Sequence, residues 1–429
     1  MRELVCCPPP VRSYGTTVPL VDPTRRRMLA VLLAATALLT VAGFLLKAQC
    51  IGDYDTARDR VLCSNDLQVL YLDRALHEHA FPYVHGGLVH GQPPAGTVEY
   101  PVLTGVFAWL PAQLAPDDGS YLQLSALLLA PFSLVTVLLL GQMVRWRALV
   151  YALAPPLVWY SFHNWDLLVV CATVAALHAF WRERWAWCGG WLAVGAGLKF
   201  WPLLLVLPLL LHRLHARDRS GAVAGVGAFV AGSLAINLPF LLLDPGGWFA
   251  PYAFQQLRGA DVTSNSIWYW GLPALTTHDL NRLIPVLLAL ATLGAAGWGW
   301  RRAQREGEYP VVQVGGALLA AFMLLGKAHS PQYALWLLPF FCLLRLRWGW
   351  WLGYFAVDAL TYVGVFRWFY DLGQGRDFGL AKQALVLGVW GRAVALVLLY
   401  AVFLTSRTAW RQAAPAPVEG GLAWQAQPA

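Results

Sequence analysis

The sequence predicts an all-α polytopic membrane protein, and three observations support this fold class. The 429 residues are 58% hydrophobic and 13% charged, whereas soluble domains carry about 25% charged residues. Apolar stretches of roughly bilayer length recur from residue 28 to residue 404. Arginines flank these stretches, as the positive-inside rule describes. We therefore expect a bundle of about 10–12 membrane helices, with re-entrant or short helices and an outer-face loop domain.

The net charge of +8 belongs to this topology. Because the arginines border apolar runs, they indicate cytoplasmic helix ends and not a basic patch for phosphodiesters. The pattern excludes nucleic acid as an expected partner and leaves membrane lipids as the expected surroundings.

The first helix is predicted at 28–46, after a cytoplasmic N-terminal tail at 1–27. This apolar run is too long for the apolar core of a signal peptide, so we interpret it as a retained helix. The first extracytoplasmic loop follows at 47–101. The next run, 102–116, is short, and a crossing there would place the following arginines outside. We expect an interfacial or re-entrant helix on the outer face.

The next predicted helices are 121–143 (inward), 148–162 (outward) and 166–181 (inward). Segment 187–212 has arginines on both sides and a polar break in its centre. We expect two half-helices that enter from the cytoplasm and turn at Lys199, since broken helices are tolerated where they line a protein cavity.

The remaining apolar runs complete a transmembrane domain at 28–404. An outward helix at 221–243 leads to the second extracytoplasmic loop, 244–281. Five further helices are predicted at 282–300, 311–325, 330–344, 348–366 and 383–404. A cytoplasmic tail occupies 405–429, so both termini are expected inside and the protein is expected in the plasma membrane.

The first outer loop concentrates carboxylates in an otherwise apolar chain: Asp53, Asp55, Asp59, Asp66 and Asp73. Asp66 begins an amphipathic helical pattern and follows the capping residues Ser64 and Asn65. One interpretation is that Asp66 only complements the helix dipole. The other is that it is a general base that removes a proton from an attacking hydroxyl.

Two more carboxylates stand at predicted outer positions. Glu99, in Glu99-Tyr100-Pro101, is either a ligand for sugar hydroxyls or a solvated loop residue. Asp166 is either a second functional carboxylate or a helix cap. Because polar residues beside membrane helices usually mark a site, their convergence on one face predicts an outward-facing catalytic or binding cleft.

Lys199 and Lys327 are cations whose positions are not explained by the rule that places arginines at cytoplasmic helix ends. A lysine at membrane depth is costly unless a carboxylate or a phosphate pairs with it. Lys327 and His329 could hold a phosphate, for which a polyprenyl phosphate is the natural membrane partner. The alternative for Lys327 is that its side chain extends to the membrane surface.

Cys50 and Cys63 bracket the acidic loop on the predicted oxidising side, where a disulfide between them is one possibility. The dispersed histidines show no metal-binding spacing, so we expect no metal site. No cofactor is expected; a divalent cation is neither required nor excluded. No nucleotide-binding loop is recognisable.

Several motifs together resemble glycosyltransferase family 87, of the GT-C superfamily. They are C-x-x-D-L-x-x-L-Y-x-x-R-x-L from Cys63, E-Y-P-V-L-T-G from Glu99, N-W-D-L-L at 164–168, G-x-x-L-K-F-W-P at 195–202 and K-x-x-S-P-Q-Y-x-L-W-L-x-P at 327–339. The resemblance implies a GT-C-like fold and an inverting transfer of a sugar, commonly mannose, from a polyprenyl-phosphate donor to a lipid or glycan acceptor on the extracytoplasmic face.

The resemblance also implies roles for residues. Asp66 matches the catalytic aspartate, and Lys199, Lys327 and His329 are expected near the donor phosphate. The expected substrate-binding set is completed by other residues of the same motifs: Arg74, Glu99, Tyr100, Asp166 and Gln332.

Two other functions fit parts of the same pattern. A transporter or lipid flippase would also use broken helices and membrane lysines, although no internal repeat is detectable. A catalytically inactive partner in a cell-envelope synthesis complex would keep the fold. An enzyme should gather Asp66, Lys327 and His329 at one outer cavity, whereas a transporter should continue the polar path across the bilayer.

Overall fold

The computed structural model describes residues 23–377 and 379–410. Of the described residues, 75% are helical, and they form no strand beyond two isolated bridges. This confirms the predicted all-α class. Most of the two predicted cytoplasmic tails, 1–27 and 405–429, lies outside the described residues.

Eighteen α-helices follow one another along the described chain. They are α1 (Pro23–Ala48), α2 (Tyr54–Ala57), α3 (Asp66–Asp73), α4 (Val102–Ala112), α5 (Asp118–Val144), α6 (Leu149–Ala152), α7 (Pro155–Tyr160), α8 (Asp166–Trp181), α9 (Trp185–Leu198), α10 (Val206–His215), α11 (Arg219–Leu243), α12 (Pro245–Leu257), α13 (Ile267–Gly271), α14 (Thr277–Glu306), α15 (Val311–Leu325), α16 (Ala334–Leu343), α17 (Trp348–Gly373) and α18 (Leu380–Thr405). Short 3₁₀ helices occur at Leu76–Glu78, Arg145–Ala148, Trp201–Leu205 and Pro331–Tyr333.

Five helical segments among the described residues are long and apolar enough to cross a membrane. They are Pro23–Ala48, Asp118–Ala152, Arg219–Leu243, Thr277–Glu306 and Leu380–Thr405. Shorter apolar helices pack among them, including α8 and α15, whose side chains are almost entirely buried in protein. The chain is therefore a polytopic membrane protein.

The predicted helix at 148–162 is interrupted. The structure has α6 and α7 in its place, separated by Leu153 and Ala154. Pro155 and Pro156 follow immediately and have no backbone N–H to continue a helical ladder. By contrast, α4 spans 11 residues, about 16 Å of rise, which is too short to cross a bilayer and agrees with an interfacial helix.

Segment 187–212 forms the expected broken hairpin. Helix α9 ends at Leu198 and Lys199 has extended backbone geometry. The far ends of the two halves lie together, since the rings of Trp185 and His212 are 5.9 Å apart and the Arg213 guanidinium lies 4.0 Å from the centre of the Trp185 ring. The tip of this hairpin therefore carries Lys199 away from the arginines.

The predicted first outer loop is fixed at its base. A disulfide joins Cys50 to Cys63. The ammonium group of Lys47, at the end of α1, donates to the Ser64 carbonyl at 2.8 Å and to the Tyr362 hydroxyl at 3.1 Å. These contacts hold the start of α3, which carries the candidate site residues, against the helix bundle.

Candidate active site

A cavity of about 330 Å³ opens beside the start of α3. Five of the residues predicted from sequence line it: Asp66, Arg74, Glu99, Tyr100 and Gln332. The remaining lining residues are Ser64, Val69, Leu70, Asp73, His163, Arg258, Thr263, Asn265, Ser330, Pro331, Val365, Phe366 and Phe369. Residues distant in sequence thus converge on one polar recess.

Asp66 is the first residue of α3. The Asn65 side chain caps this helix by accepting a hydrogen bond from the Gln68 amide at 2.9 Å. The Asp66 amide donates to the His163 carbonyl at 2.7 Å, which ties α3 to the turn before α8. The Asp66 carboxylate is 35% exposed and faces the cavity. Its backbone is therefore fixed while its side chain stays accessible to a substrate.

Asn164 sets the orientation of the Asp66 carboxylate. Its side-chain amide nitrogen donates to Asp66 Oδ2 at 2.6 Å and to the Tyr100 hydroxyl at 2.7 Å. Its amide oxygen accepts from Lys199 Nζ at 3.1 Å. Asn164 is fully buried, so these contacts leave its amide one favourable orientation. Asp66 Oδ1, by contrast, makes no hydrogen bond with the described residues, and Asp66 lines the recess.

Lys199 lies behind the cavity. Its Nζ is 3.6 Å from Asp166 Oδ2 and 3.6 Å from the centre of the Tyr100 ring. Asp166 also accepts a hydrogen bond of 2.7 Å from the Trp336 indole. Both charges are buried. Burial of either charge alone would be costly, and the pairing reduces that cost. Asp166 is thus the partner of Lys199 and makes no side-chain cap of α8.

The surroundings of Asp66 change its acidity. Partial exclusion of water raises the pKa of Asp66 above that of a free aspartate. The hydrogen bond from Asn164 and the charges of Lys199 and Arg258 oppose this rise. His163, whose Nε2 lies 3.9 Å from Asp66 Oδ1, has its pKa lowered well below the usual value by burial. A neutral imidazole therefore stands beside a carboxylate of increased basicity.

Arg74 and Glu99 form an ion pair in the cavity wall. Arg74 Nε and Nη2 donate to the two carboxylate oxygens of Glu99 at 3.0 and 3.2 Å. The Gln255 side chain donates to the Glu99 carbonyl at 3.2 Å, and the Arg74 guanidinium lies over the Phe254 ring. The pair therefore joins α3, the loop before α4 and the end of α12.

Lys327 and His329 are not among the cavity-lining residues, so the structure does not gather Asp66, Lys327 and His329 at one cavity as we expected of an enzyme. Lys327 Nζ donates to the Gln255 carbonyl at 2.7 Å and to Asn281 Oδ1 at 2.8 Å, so it links α12 to α14. His329 is buried beside Arg392, and burial lowers the pKa of His329 well below its usual value. A neutral imidazole supplies no point charge for a phosphate. The predicted contact of both residues with a donor phosphate stays a prediction.

Arg258 is a lining residue that the sequence analysis missed. Its side chain is half-buried and makes no ion pair with any described carboxylate, yet its charge lowers the pKa values of Asp66 and Lys327. Its position in the predicted second outer loop was an available signal, because arginines are depleted from that side of a membrane.

In the part of the chain that the structure describes, no group of three or more His, Cys, Asp or Glu side chains could hold a metal ion.

The fold and the site together define an integral membrane protein. Its helical bundle carries an accessible carboxylate in a polar cavity at one end. The chain belongs to glycosyltransferase family 87, whose family model matches residues 99–327. Asp66 lies outside the matched residues, so its assignment rests on its motif and on the geometry above.

A curated relative is similar over part of the chain. It is a polyprenol-phosphate-mannose-dependent alpha-(1-2)-phosphatidylinositol pentamannoside mannosyltransferase from Mycobacterium tuberculosis (strain CDC 1551 / Oshkosh), 27% identical over 268 residues. The match covers 56% of this chain and 56% of the relative, so it spans only about half of the relative's length. No solved structure matches the chain significantly.

Proposed function

We propose that the protein is an integral membrane glycosyltransferase that moves a sugar from a polyprenyl-phosphate donor to a lipid or glycan acceptor. Mannose is the proposed sugar, because the similar mycobacterial protein is described as polyprenol-phosphate-mannose-dependent. The observation that carries the proposal is the Asp66 carboxylate: Asn164 holds one of its oxygens, the other makes no hydrogen bond with the described residues, and Asp66 lines a cavity together with Arg258.

Asp66 is the proposed general base. The acceptor hydroxyl would approach Asp66 Oδ1, since Oδ2 is occupied by the Asn164 amide. As the hydroxyl oxygen bonds to the anomeric carbon of the donor, its proton passes to Asp66 and the bond from that carbon to the phosphate oxygen breaks. The electron pair of the broken bond leaves with polyprenyl phosphate. A single displacement of this kind inverts the anomeric configuration.

Arg258 is the proposed ligand of the donor phosphate. It is the cavity arginine without a carboxylate partner among the described residues, whereas Arg74 is paired with Glu99. Arginine suits phosphate because its planar guanidinium donates two parallel hydrogen bonds. The charge would stabilise the phosphate as it gains an electron pair, and no general acid is needed for that leaving group.

Lys199 and Asp166 are proposed to position the base. Lys199 does not line the cavity, and it bonds the same Asn164 amide that orients Asp66. The buried pair therefore fixes the amide from behind. Tyr100 shares the Asn164 amide, and its hydroxyl stays protonated because burial raises its pKa well above the usual value. We assign Tyr100 and Glu99 to the sugar-binding wall.

The active site is proposed on the extracytoplasmic face, as the arginine distribution predicts. Lys199, Asp166 and the start of α3 lie together at one end of the bundle, away from the paired hairpin ends at Arg213. In this arrangement both termini are cytoplasmic and the protein is in the plasma membrane.

The experiment is a transfer assay on purified, detergent-solubilised, full-length protein. Radiolabelled polyprenyl-phosphate mannose and a soluble nucleotide-linked mannose are offered in parallel, with a membrane-lipid extract as acceptor. We expect labelled product from the lipid-linked donor only. Transfer from the nucleotide sugar alone, or donor movement across proteoliposomes without product from any polyprenyl-phosphate sugar, would contradict the proposal.

A further inference from the structure

The loop that the disulfide closes, residues 50–63, packs against the start of α3. Cys50, Ala57 and Cys63 are buried together, and the Tyr54 side chain packs against them. Tyr54 is the first residue of the short helix α2. The loop therefore has a small core of its own, and that core together with the disulfide fixes the position of Tyr54.

The hydroxyl group of Tyr54 bonds both backbone groups of Asn65. It donates to the Asn65 carbonyl at 2.9 Å and accepts from the Asn65 amide at 3.1 Å. Burial raises the pKa of Tyr54 to about 12, so the hydroxyl is protonated at neutral pH and makes both bonds at once. Asn65 directly precedes Asp66, so one side chain of the disulfide loop holds the residue from which the proposed base extends.

Every polar group of Asn65 is bonded. Its side-chain oxygen accepts from the Gln68 amide at 2.9 Å. Its side-chain nitrogen donates to the Cys63 carbonyl at 3.1 Å and to Gln68 Oε1 at 2.8 Å. Asn65 is buried, and its two backbone groups are the ones that Tyr54 holds. The Tyr54 hydroxyl thus completes a set of bonds that allows Asn65 one conformation.

Asp66 is held from its other side by the turn before α8. Its amide donates to the His163 carbonyl at 2.7 Å, and its Oδ2 accepts from the Asn164 amide at 2.6 Å. The proposed base therefore lies between two separate segments, the disulfide loop and this turn. A shift of either segment would change the contact between Asp66 and Asn164.

Tyr54 itself is not a lining residue of the cavity. It therefore affects sugar transfer through Asp66 and not through contact with a substrate. A catalytic group that moves by about 1 Å can lose about 100-fold in rate, so a loosened Asn65 should be measurable in turnover.

We propose that Tyr54 is a positioning residue for the general base and that the disulfide between Cys50 and Cys63 keeps it in place. The Tyr54 hydroxyl holds the Asn65 backbone so that Asp66 Oδ2 stays on the Asn164 amide while the acceptor proton is transferred. This inference rests on the proposed transferase function and deepens it by assigning the disulfide loop a part in the reaction.

The test compares Tyr54→Phe with Tyr400→Phe in the transfer assay, on full-length protein in detergent. The Tyr400 hydroxyl also donates to a backbone carbonyl of another segment, that of Ala291 at 2.7 Å, but Tyr400 lies outside the cavity. Rates are normalised to the folded fraction, which thermal unfolding measures. We expect Tyr54→Phe to lower kcat about tenfold with an unchanged donor KM, and Tyr400→Phe to keep a normal kcat.

The pH profile separates positioning from a general loss of stability. Tyr54→Phe leaves in place the charged and titratable groups that surround Asp66, and Tyr54 is itself neutral over the assayed range. Those groups are Lys47, Tyr100, His163, Asp166, Lys199 and Arg258. The bond from Asn164 lowers the pKa of Asp66, so a weaker contact should move the acid limb of kcat/KM to higher pH. A purely structural role would leave the acid limb where it is.

A double-mutant cycle tests the part of the disulfide. Cys50→Ser with Cys63→Ser should lower kcat by about the same factor as Tyr54→Phe. Adding Tyr54→Phe to the serine pair should lower kcat little further, because both changes act through the Asn65 backbone. Independent effects would instead multiply.

Three outcomes would overturn the inference while the unaltered protein transfers sugar. The first is an unchanged kcat and acid limb in folded Tyr54→Phe. The second is an equal loss in Tyr54→Phe and Tyr400→Phe. The third is full multiplication of the losses from Tyr54→Phe and the serine pair. Absence of transfer by the unaltered protein from every polyprenyl-phosphate sugar would overturn the proposed function and this inference with it, so the two failures are distinguishable.

Discussion

Replacement of Asn164 by leucine tests whether sugar transfer requires a fixed orientation of the Asp66 carboxylate, and not only the presence of that carboxylate. The variant keeps the carboxylate but removes the 2.6 Å hydrogen bond that fixes Oδ2 and the acceptor that Lys199 uses. A hydrogen bond to a charged group contributes about 1.5–3 kcal/mol. If that contribution is made in the transition state, the sugar-transfer rate falls about 10- to 150-fold.

The pH dependence provides a second readout. Transfer needs the carboxylate form, so activity is present above the pKa of Asp66 and is lost as pH falls through it. The Asn164 bond lowers that pKa, so Asn164→Leu should raise it and move the acid limb of the profile of kcat/KM to higher pH.

The assay measures kcat/KM from about pH 4 to 8, with Asn237→Leu as control. Asn237 also exchanges side-chain hydrogen bonds, with Ser233 and Trp248, but lies outside the cavity. The acid limb of the Asn237→Leu profile should coincide with that of the unaltered protein. An unchanged or lower acid limb in Asn164→Leu, with the fold intact by circular dichroism, would refute the assignment of Asp66 as the titrating base.

Three further results are expected. Arg258→Gln should raise the KM for the lipid-linked donor about tenfold or more, with less effect in Arg258→Lys; an unchanged donor KM in both would exclude Arg258 as the phosphate ligand. Replacing Cys50 and Cys63 by serine should lower the free energy of unfolding by about 3 kcal/mol, since the disulfide closes a loop with a sequence separation of 13; a denaturant midpoint unmoved in both variant and reduced protein would contradict this. Glu99→Leu should destabilise the protein by about 1–3 kcal/mol because Arg74 loses its partner in the cavity wall, and adding Arg74→Met should recover part of the loss; additive losses would argue against a coupled pair.

Much of the fold could be predicted because the membrane requires long apolar segments and arginines mark the ends of those segments. Helix α8 matches the predicted 166–181, and the break at Lys199 was visible as a polar residue between apolar halves. The break between α6 and α7 was not predicted, although Pro155 and Pro156 mark it. The predicted helix at 148–162 relied on apolar character alone, which does not take account of the backbone N–H groups that the two prolines lack.

The candidate site was only partly predictable. Motif position brought Asp66, Arg74 and Glu99 into the candidate site, but it did not predict the ion pair between Arg74 and Glu99. Which cation pairs with which anion depends on tertiary packing. Lys199 is neutralised by Asp166, while Arg258, which had no motif around it, makes no ion pair with a described carboxylate. Pairing between segments more than 30 residues apart leaves no local pattern in one sequence.

The most direct test of the central claim is sugar transfer from polyprenyl-phosphate mannose by Asp66→Asn beside Asp73→Asn. Asp73 lies on the same short helix and lines the same cavity, so both variants lose one negative charge from one surface. We predict no detectable turnover for Asp66→Asn, retained donor binding, and near-normal turnover for Asp73→Asn. Normal turnover by Asp66→Asn, or equal loss in the two variants, would contradict the assignment of Asp66 as the base.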